Sequence, residues 1–145
     1  MKYVATKGST FKVTAGTWSG VGTIGLPTVS MTSSLGGSGI LNASYKYSKY
    51  CKIDGQPVAH SISVSETLFE QVESDSRTTI VSLTLNGSTR YVKDGSSWLL
   101  KGDSSSSSVI TTVITQTPTG PSPPVTVPGT QKISIETTQT NTKAE

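Results

Sequence analysis

A side-chain period of two runs through most of this chain, and it limits the fold more than any other feature. Apolar residues at every second position put one face of an extended strand against a core, whereas a helix needs spacings of three and four. Residues 10–15 show the pattern first, with Phe11, Val13 and Ala15 on one face. It returns in 44–64. There Tyr45, Tyr47, Lys49, Cys51 and Ile53 alternate with Ser44, Lys46, Ser48, Tyr50 and Lys52, and Val58, His60, Ile62 and Val64 follow two apart. Asp54-Gly55 between these runs suits a type I′ hairpin turn, whose two central residues both need positive φ. Counting from Ile53 opposite Gln56, the register predicts Cys51 opposite Val58 and Lys49 opposite His60.

Residues 78–101 read as a three-stranded meander turning at Asn86-Gly87 and Asp94-Gly95, with Val81, Leu83, Leu85, Tyr91 and Leu99 in the core. Composition agrees with an all-β fold. The chain holds 24 Ser and 23 Thr but only five Ala among 145 residues, so the good helix formers are scarce. One short helix is allowed at 65–73, where Ser65 can cap and Leu68 and Val72 lie four apart; a strand is the alternative. In that helix Glu66, Glu70, Glu73 and Asp75 would form a solvated face.

Three segments follow. Residues 1–65 form a Gly-rich β body, with Trp18, Ile24, Leu26 and Val29 set among glycines and a break at Pro27. Residues 66–101 carry the short helix and the meander. Residues 102–145 form a Ser- and Pro-rich linker and an extended arm. Residues 102–108 read as flexible linker, and 117–130, with five of the seven prolines, as a polyproline spacer. Val109 and Val113, then Ile133 and Ile135, mark strands within the arm. These must dock on the body or on a neighbouring chain, because isolated strands are marginal in water. The last residues, TNTKAE, read as frayed.

Net charge is +3, unevenly spread: residues 1–60 hold six Lys and one acid, Asp54. Arg occurs only at Arg77 and Arg90, so the clustered Arg/Lys face of a nucleic-acid reader is missing. Tyr45 and Tyr47 share a strand face that Tyr50 does not, so they form no stacking platform with the nearby lysines. The glycines at 20, 22 and 25 lack the lysine-serine partner of a phosphate loop. Cys51 is the single cysteine and His60 the single histidine. The pair lacks an orienting third group and an oxyanion site, so no catalytic residue is assigned. It is also too few for a closed metal site, leaving Cys51 and His60 as marginal ligands at most. No enzyme activity and no cofactor are expected. The opening MKYVATKGSTFKV has no apolar run of the secretory kind, so the expected route is synthesis in the cytoplasm without a signal peptide.

The opening MKYVATKGSTFKVTAG resembles the start of PAAR-like spike-tip proteins, and KYCKIDGQPVAH at 49–60 is similar to their recurring strand–Asp-Gly–strand hairpin. Gly8, Phe11 to Val13, Ile53, Asp54, Gly55, Pro57 and Val58 carry the likeness, which covers about residues 1–65. Val13 stands where such proteins often have Cys, and their several His and Cys metal ligands are missing. The resemblance implies a small cone of strands capping the trimeric β-spike of a phage tail or contractile injection machine, touching a membrane only at puncture. The expected function is therefore a virion structural protein of the spike tip or baseplate. Its partners would be other particle proteins or further copies of itself, with no nucleic acid. A β-rich decoration or adhesin-like module on a flexible stalk, binding a surface or glycan, is the alternative.

Overall fold

The computed structural model describes residues 1–17, 29–37, 42–72, 75–90 and 94–145. Ten strands account for most of them: β1 (Lys2–Tyr3), β2 (Thr10–Thr17), β3 (Val29–Ser34), β4 (Ala43–Ile53), β5 (Gln56–Val72), β6 (Asp75–Asn86), β7 (Ser104–Thr117), β8 (Gly120–Pro121), β9 (Val125–Thr137) and β10 (Lys143–Ala144). No helix occurs among the described residues, so the fold is all-β. The glycine-rich stretch with Trp18, Ile24, Leu26 and Pro27, and Tyr91 of the expected core, lie outside the described residues.

The main sheet is antiparallel, with strand order β3-β2-β9-β7-β6-β5-β4, and β8 pairs β7 beside this path. Strands β4 to β9 follow one another as a meander, whereas β2 and β9 join the two ends of the chain: Phe11 pairs Ile135 and Val13 pairs Ile133. The sheet therefore takes strands from all three segments read in the sequence.

Several local expectations need correction. Residues 65–72 continue β5 as a strand, paired residue by residue from Ser61–Asn86 to Val72–Asp75. Leu68 and Val72 are an even number of residues apart, so they share a strand face as readily as a helix face. The serines 104–108 are strand, paired with Thr130 to Ser134 of β9. Pairing with β9 holds them extended, although all but the half-buried Ser105 are exposed. The proline-rich segment supplies β8 and the start of β9. Pro128 sits one residue past Gly129–Thr17, the last described pair with β2, where a missing N–H breaks no described bond on that side. The C-terminal residues are held rather than frayed, since β10 pairs β1.

The sheet curls so that its ends face each other. Phe11, Val13 and Ala15 of β2 and Ile133 and Ile135 of β9 share one buried cluster with Ile62 and Val64 of β5 and Val81, Leu83 and Leu85 of β6. Leu99 and Leu35 fill the same core from the connections. Burying a side chain such as Phe11, Ile62 or Ile133 stabilises by about 1.5–3 kcal/mol. Across the seam Phe11 meets Tyr45 of β4 edge-on at 6.2 Å, and Tyr45 donates to Ser34 O of β3 at 3.4 Å. Tyr47 stacks on Tyr45 at 6.1 Å, and its buried hydroxyl has no partner among the described residues. Burial, with Tyr45 adding to it, pushes the Tyr47 phenol up to about 12.

The curl depends on a split between β6 and β7. They pair only from Asp75–Thr115 to Thr79–Thr111. Above that, β6 stays with β5 and β7 with β9. The buried side chain of Gln131 bridges the opening: Oε1 accepts from Ser82 N at 3.1 Å, and Nε2 donates to Ser82 O at 3.1 Å, Ser108 O at 3.1 Å and Ser107 Oγ at 2.9 Å. A side-chain amide thus replaces the missing ladder rung.

Candidate functional site

The expected site residues fall into two places. Asp54-Gly55 forms the predicted turn, with φ of 54° and 78°, and Asp54 is the one described non-glycine residue with positive φ. Its carboxylate accepts from Asn141 Nδ2 at 2.6 Å, which ties the C-terminal segment to the hairpin tip. Gly8 turns with φ 98° and donates to Leu35 O at 3.0 Å, holding the start of β2 against the β3 end. Ile53 and Pro57 flank the hairpin turn. Val58 is fully buried with Val4 and Leu100, against Cys51, Ile53 and Trp98.

The predicted register of this hairpin fails beyond Lys52–Pro57. The next described pair is Tyr47–Ala59, so residues 48–51 bulge from the ladder. Ser48 holds the bulge: its Oγ accepts from Tyr50 N at 3.3 Å and from Cys51 N at 2.9 Å, a local alternative to strand pairing. Asn86-Gly87 and Asp94-Gly95 also differ from expectation. Among the described residues neither is followed by a hairpin strand, and those of 87–90 and 94–103 form the crossing from β6 to β7. A β-carbon on Gly87 would lie 2.3 Å from Ser97 O, so glycine is needed there for close approach of two backbones.

This crossing builds a polar network around Asp94. Its Oδ2 accepts from Trp98 Nε1 at 2.9 Å and lies 3.2 Å from His60 Nε2. The Ser48 and Cys51 side chains add hydrogen bonds to the same carboxyl. Donation from Trp98 first and from Ser48 next, then the electrostatic attraction of His60 and donation from Cys51, hold Asp94 below the usual carboxylate range against the opposing effect of burial. His60 Nδ1 meets Ser97 O at 3.1 Å; a carbonyl can only accept, so Nδ1 donates. Both ring nitrogens are thus engaged, and neither is directed at the Cys51 thiol as a base. Among the described residues no group of three or more His, Cys, Asp or Glu could hold a metal ion. The network's evident work is to clamp the crossing onto the β4–β5 bulge. Glu66, expected on a helix face, accepts instead from Asn42 N at 2.7 Å at the end of the β3–β4 connection.

Beside the network, Lys46, His60, Ser61, Asn86, Gly87, Ser96 and Ser97 line an open polar cleft of about 310 Å³.

The expected assembly residues Val109, Val113, Ile133 and Ile135 point inward. Val109, Ile133 and Ile135 are buried and Val113 is half-buried, so they serve this chain's own sheet. The outward side of the same strands is different. From Ser61 on β5, and throughout β6 and β7, every outward position is Ser, Thr, Asn, Gln, Ile or Phe, with no charge. Phe69, Ile80 and Ile110 stand on this face 66%, 63% and 58% exposed. The register sets Ile80 opposite Thr67 and Ile110 opposite Pro128, with Phe69, Thr78, Thr112 and Thr126 in the next row. Lysines flank the face: Lys132 of β9 stands opposite Ser106 and Lys46 of β4 opposite Ser61, and Lys49 and Lys52 are exposed further along edge strand β4 beside Tyr50. Charges on an edge strand oppose pairing with another sheet. The edge is guarded and the face is not. The period-two pattern already contains this face, because its residues are the positions between the buried ones.

A scan against models of known protein families, a search of curated proteins and a search of solved structures each return no match to this chain.

Proposed function

We propose that this chain is a structural protein of a phage tail or phage-like injection particle, at the spike tip or baseplate, and that it docks on its neighbours through the outward face of β5, β6 and β7. One observation carries the reading: an uncharged Ser/Thr face on β5, β6 and β7 with exposed Phe69, Ile80 and Ile110, on a chain whose β4 edge is lined with lysine. Exposed apolar groups gathered on one face mark an interaction surface. The docking element differs from the one expected, since the C-terminal segment lies inside the sheet and the sheet's own face is what remains to be covered. The likeness to PAAR-like tips supports the particle assignment through Gly8, Ile53, Asp54, Gly55, Pro57 and Val58. In this reading the work is mechanical, with no catalysis, cofactor or nucleic acid, and membrane contact occurs only at puncture.

The test is mass spectrometry of particles purified from lysates of the source organism. Wild-type chain should be present at fixed stoichiometry, and Ile80→Lys/Ile110→Lys should lose incorporation while keeping its circular dichroism spectrum. Particles without the chain would defeat the reading.

A second reading, a surface- or glycan-binding decoration module, draws on the polar cleft beside Lys46, His60 and Asn86. Saccharide binding that is lost in Lys46→Ala/Asn86→Ala and kept in the Ile80/Ile110 variant would favour it.

A further inference from the structure

We infer that the polar cleft beside Lys46 and the lysine-lined edge of β4 together bind an acidic oligosaccharide, a proposal that rests on the second reading above and names its saccharide class. The register builds the floor of the cleft. Lys46 lies opposite Ser61, and Ser61 opposite Asn86, so an ammonium, a hydroxyl and an amide stand in one row across β4, β5 and β6. Ser96 and Ser97 of the crossing form the wall. That wall is fixed before any ligand arrives. His60 Nδ1 donates to Ser97 O at 3.1 Å, Ser97 Oγ to Thr89 O at 2.9 Å, and Gly87 N to His60 O at 2.9 Å. Donors held in place spare the ordering cost of binding.

The lining selects the ligand. The cleft measures about 310 Å³ and presents hydroxyl, amide and ammonium groups without an apolar side chain, which suits a small polyhydroxylated unit. The acid of the neighbouring network, Asp94, is buried against His60 and Trp98, so Lys46 sets the charge of the opening. Lys49 and Lys52 continue that charge along β4, which holds no acid from Ala43 to Ile53. Six residues at about 3.3 Å each span about 20 Å from Lys46 to Lys52, so the edge fits a chain of acidic sugars better than a single one. Exposed Tyr50 adds an apolar surface between the lysines. An acidic peptide strand would need a regular β4 edge, and the bulge at 48–51 interrupts it. A nucleic acid strand would need several aromatic side chains for its bases, and among the described residues this edge exposes Tyr50 alone.

The experiment is titration calorimetry of the full chain with hexagalacturonate and with neutral maltohexaose, at about 0.02 M and about 0.2 M salt. Hexagalacturonate should bind at least tenfold more tightly than maltohexaose and weaken at high salt. Lys46→Gln, and separately Lys49→Gln/Lys52→Gln, should reduce its affinity at least threefold and flatten the salt dependence. Asn86→Ala, and separately Ser96→Ala in case the first variant misfolds, should reduce affinity with the salt dependence unchanged, a result that diffuse attraction of a polyanion does not give. Lys132→Gln, on β9, should bind as wild type does, and all variants should keep the wild-type urea midpoint. Equal binding of the two sugars overturns the inference and leaves the second reading standing. Hexagalacturonate binding that survives Asn86→Ala and Ser96→Ala overturns it as well, and so does an oligothymidylate that displaces the sugar and binds more tightly. If neither sugar binds, this inference and the second reading fall together, and the particle assignment stands on its own test.

Discussion

Gln131 shows how much one side chain can decide in a sheet of small polar residues. Its amide supplies both halves of a missing rung to Ser82 and reaches Ser107 and Ser108 on the other strand. Removing it leaves part-buried backbone groups of Ser82 and Ser108 without these partners, and a lost partner costs up to about 1–3 kcal/mol. Gln131→Ala should lower the unfolding free energy by about 2–3 kcal/mol in urea denaturation, well beyond an exposed Gln71→Ala control. Asp94 offers a second test through pH. Its folded carboxyl sits below the usual range because Trp98, Ser48, His60 and Cys51 favour the ionised form. The resulting stability is complete above the unfolded carboxyl value of about 3.9 and is lost as pH falls through the lower folded value. Asp94→Asn should therefore be less stable than wild type at pH 6, and its stability should fall less steeply below pH 4. Equal acid slopes in the two chains would refute this.

At the scale of the element, the sequence's alternation located β2, the β4–β5 hairpin and the inward rows Val81-Leu83-Leu85 and Ile133-Ile135, because burial of one strand face writes a period of two directly. Asp54-Gly55 was legible for an equally local reason, the positive φ of a tight turn. What was not legible depended on distant partners. Ser104 to Ser108 look like linker until Thr130 to Ser134 lie beside them. Residues 65–72 fit a helix until Asp75 to Ser82 pair with them. Asn86-Gly87 matches a hairpin turn in composition, yet Gly87 serves the approach of Ser97. The bulge at 48–51 and the Asp94 network were hidden because Ser48, Cys51, His60 and Asp94 are brought together by a crossing whose path the local pattern does not specify. The central place of β9 makes a strong prediction. A chain ending at Gly102 lacks β7 and β9, and with them the ladder that joins β2 to the meander. It should give no cooperative thermal transition and no native-like strand spectrum. A folded 1–102 body would contradict the topology.

For the whole molecule, both chain ends converge on one region. Strand β10 pairs β1, Gln139 Nε2 donates to Val4 O at 3.0 Å, and Lys143 sits 4.8 Å over the Tyr3 ring. The ends are thereby used internally, the β4 edge carries lysine, and the broad outward surface left without charge is that of β5, β6 and β7. The account depends on that face being covered in the working assembly. Hydroxyl-radical footprinting of the free chain and of purified particles measures this directly, with Tyr50, 87% exposed on the lysine-lined edge, as internal reference. Phe69 should oxidise readily in the dilute free chain and become protected relative to Tyr50 in the particle. Phe69 remaining as reactive as Tyr50 in the particle would contradict the account.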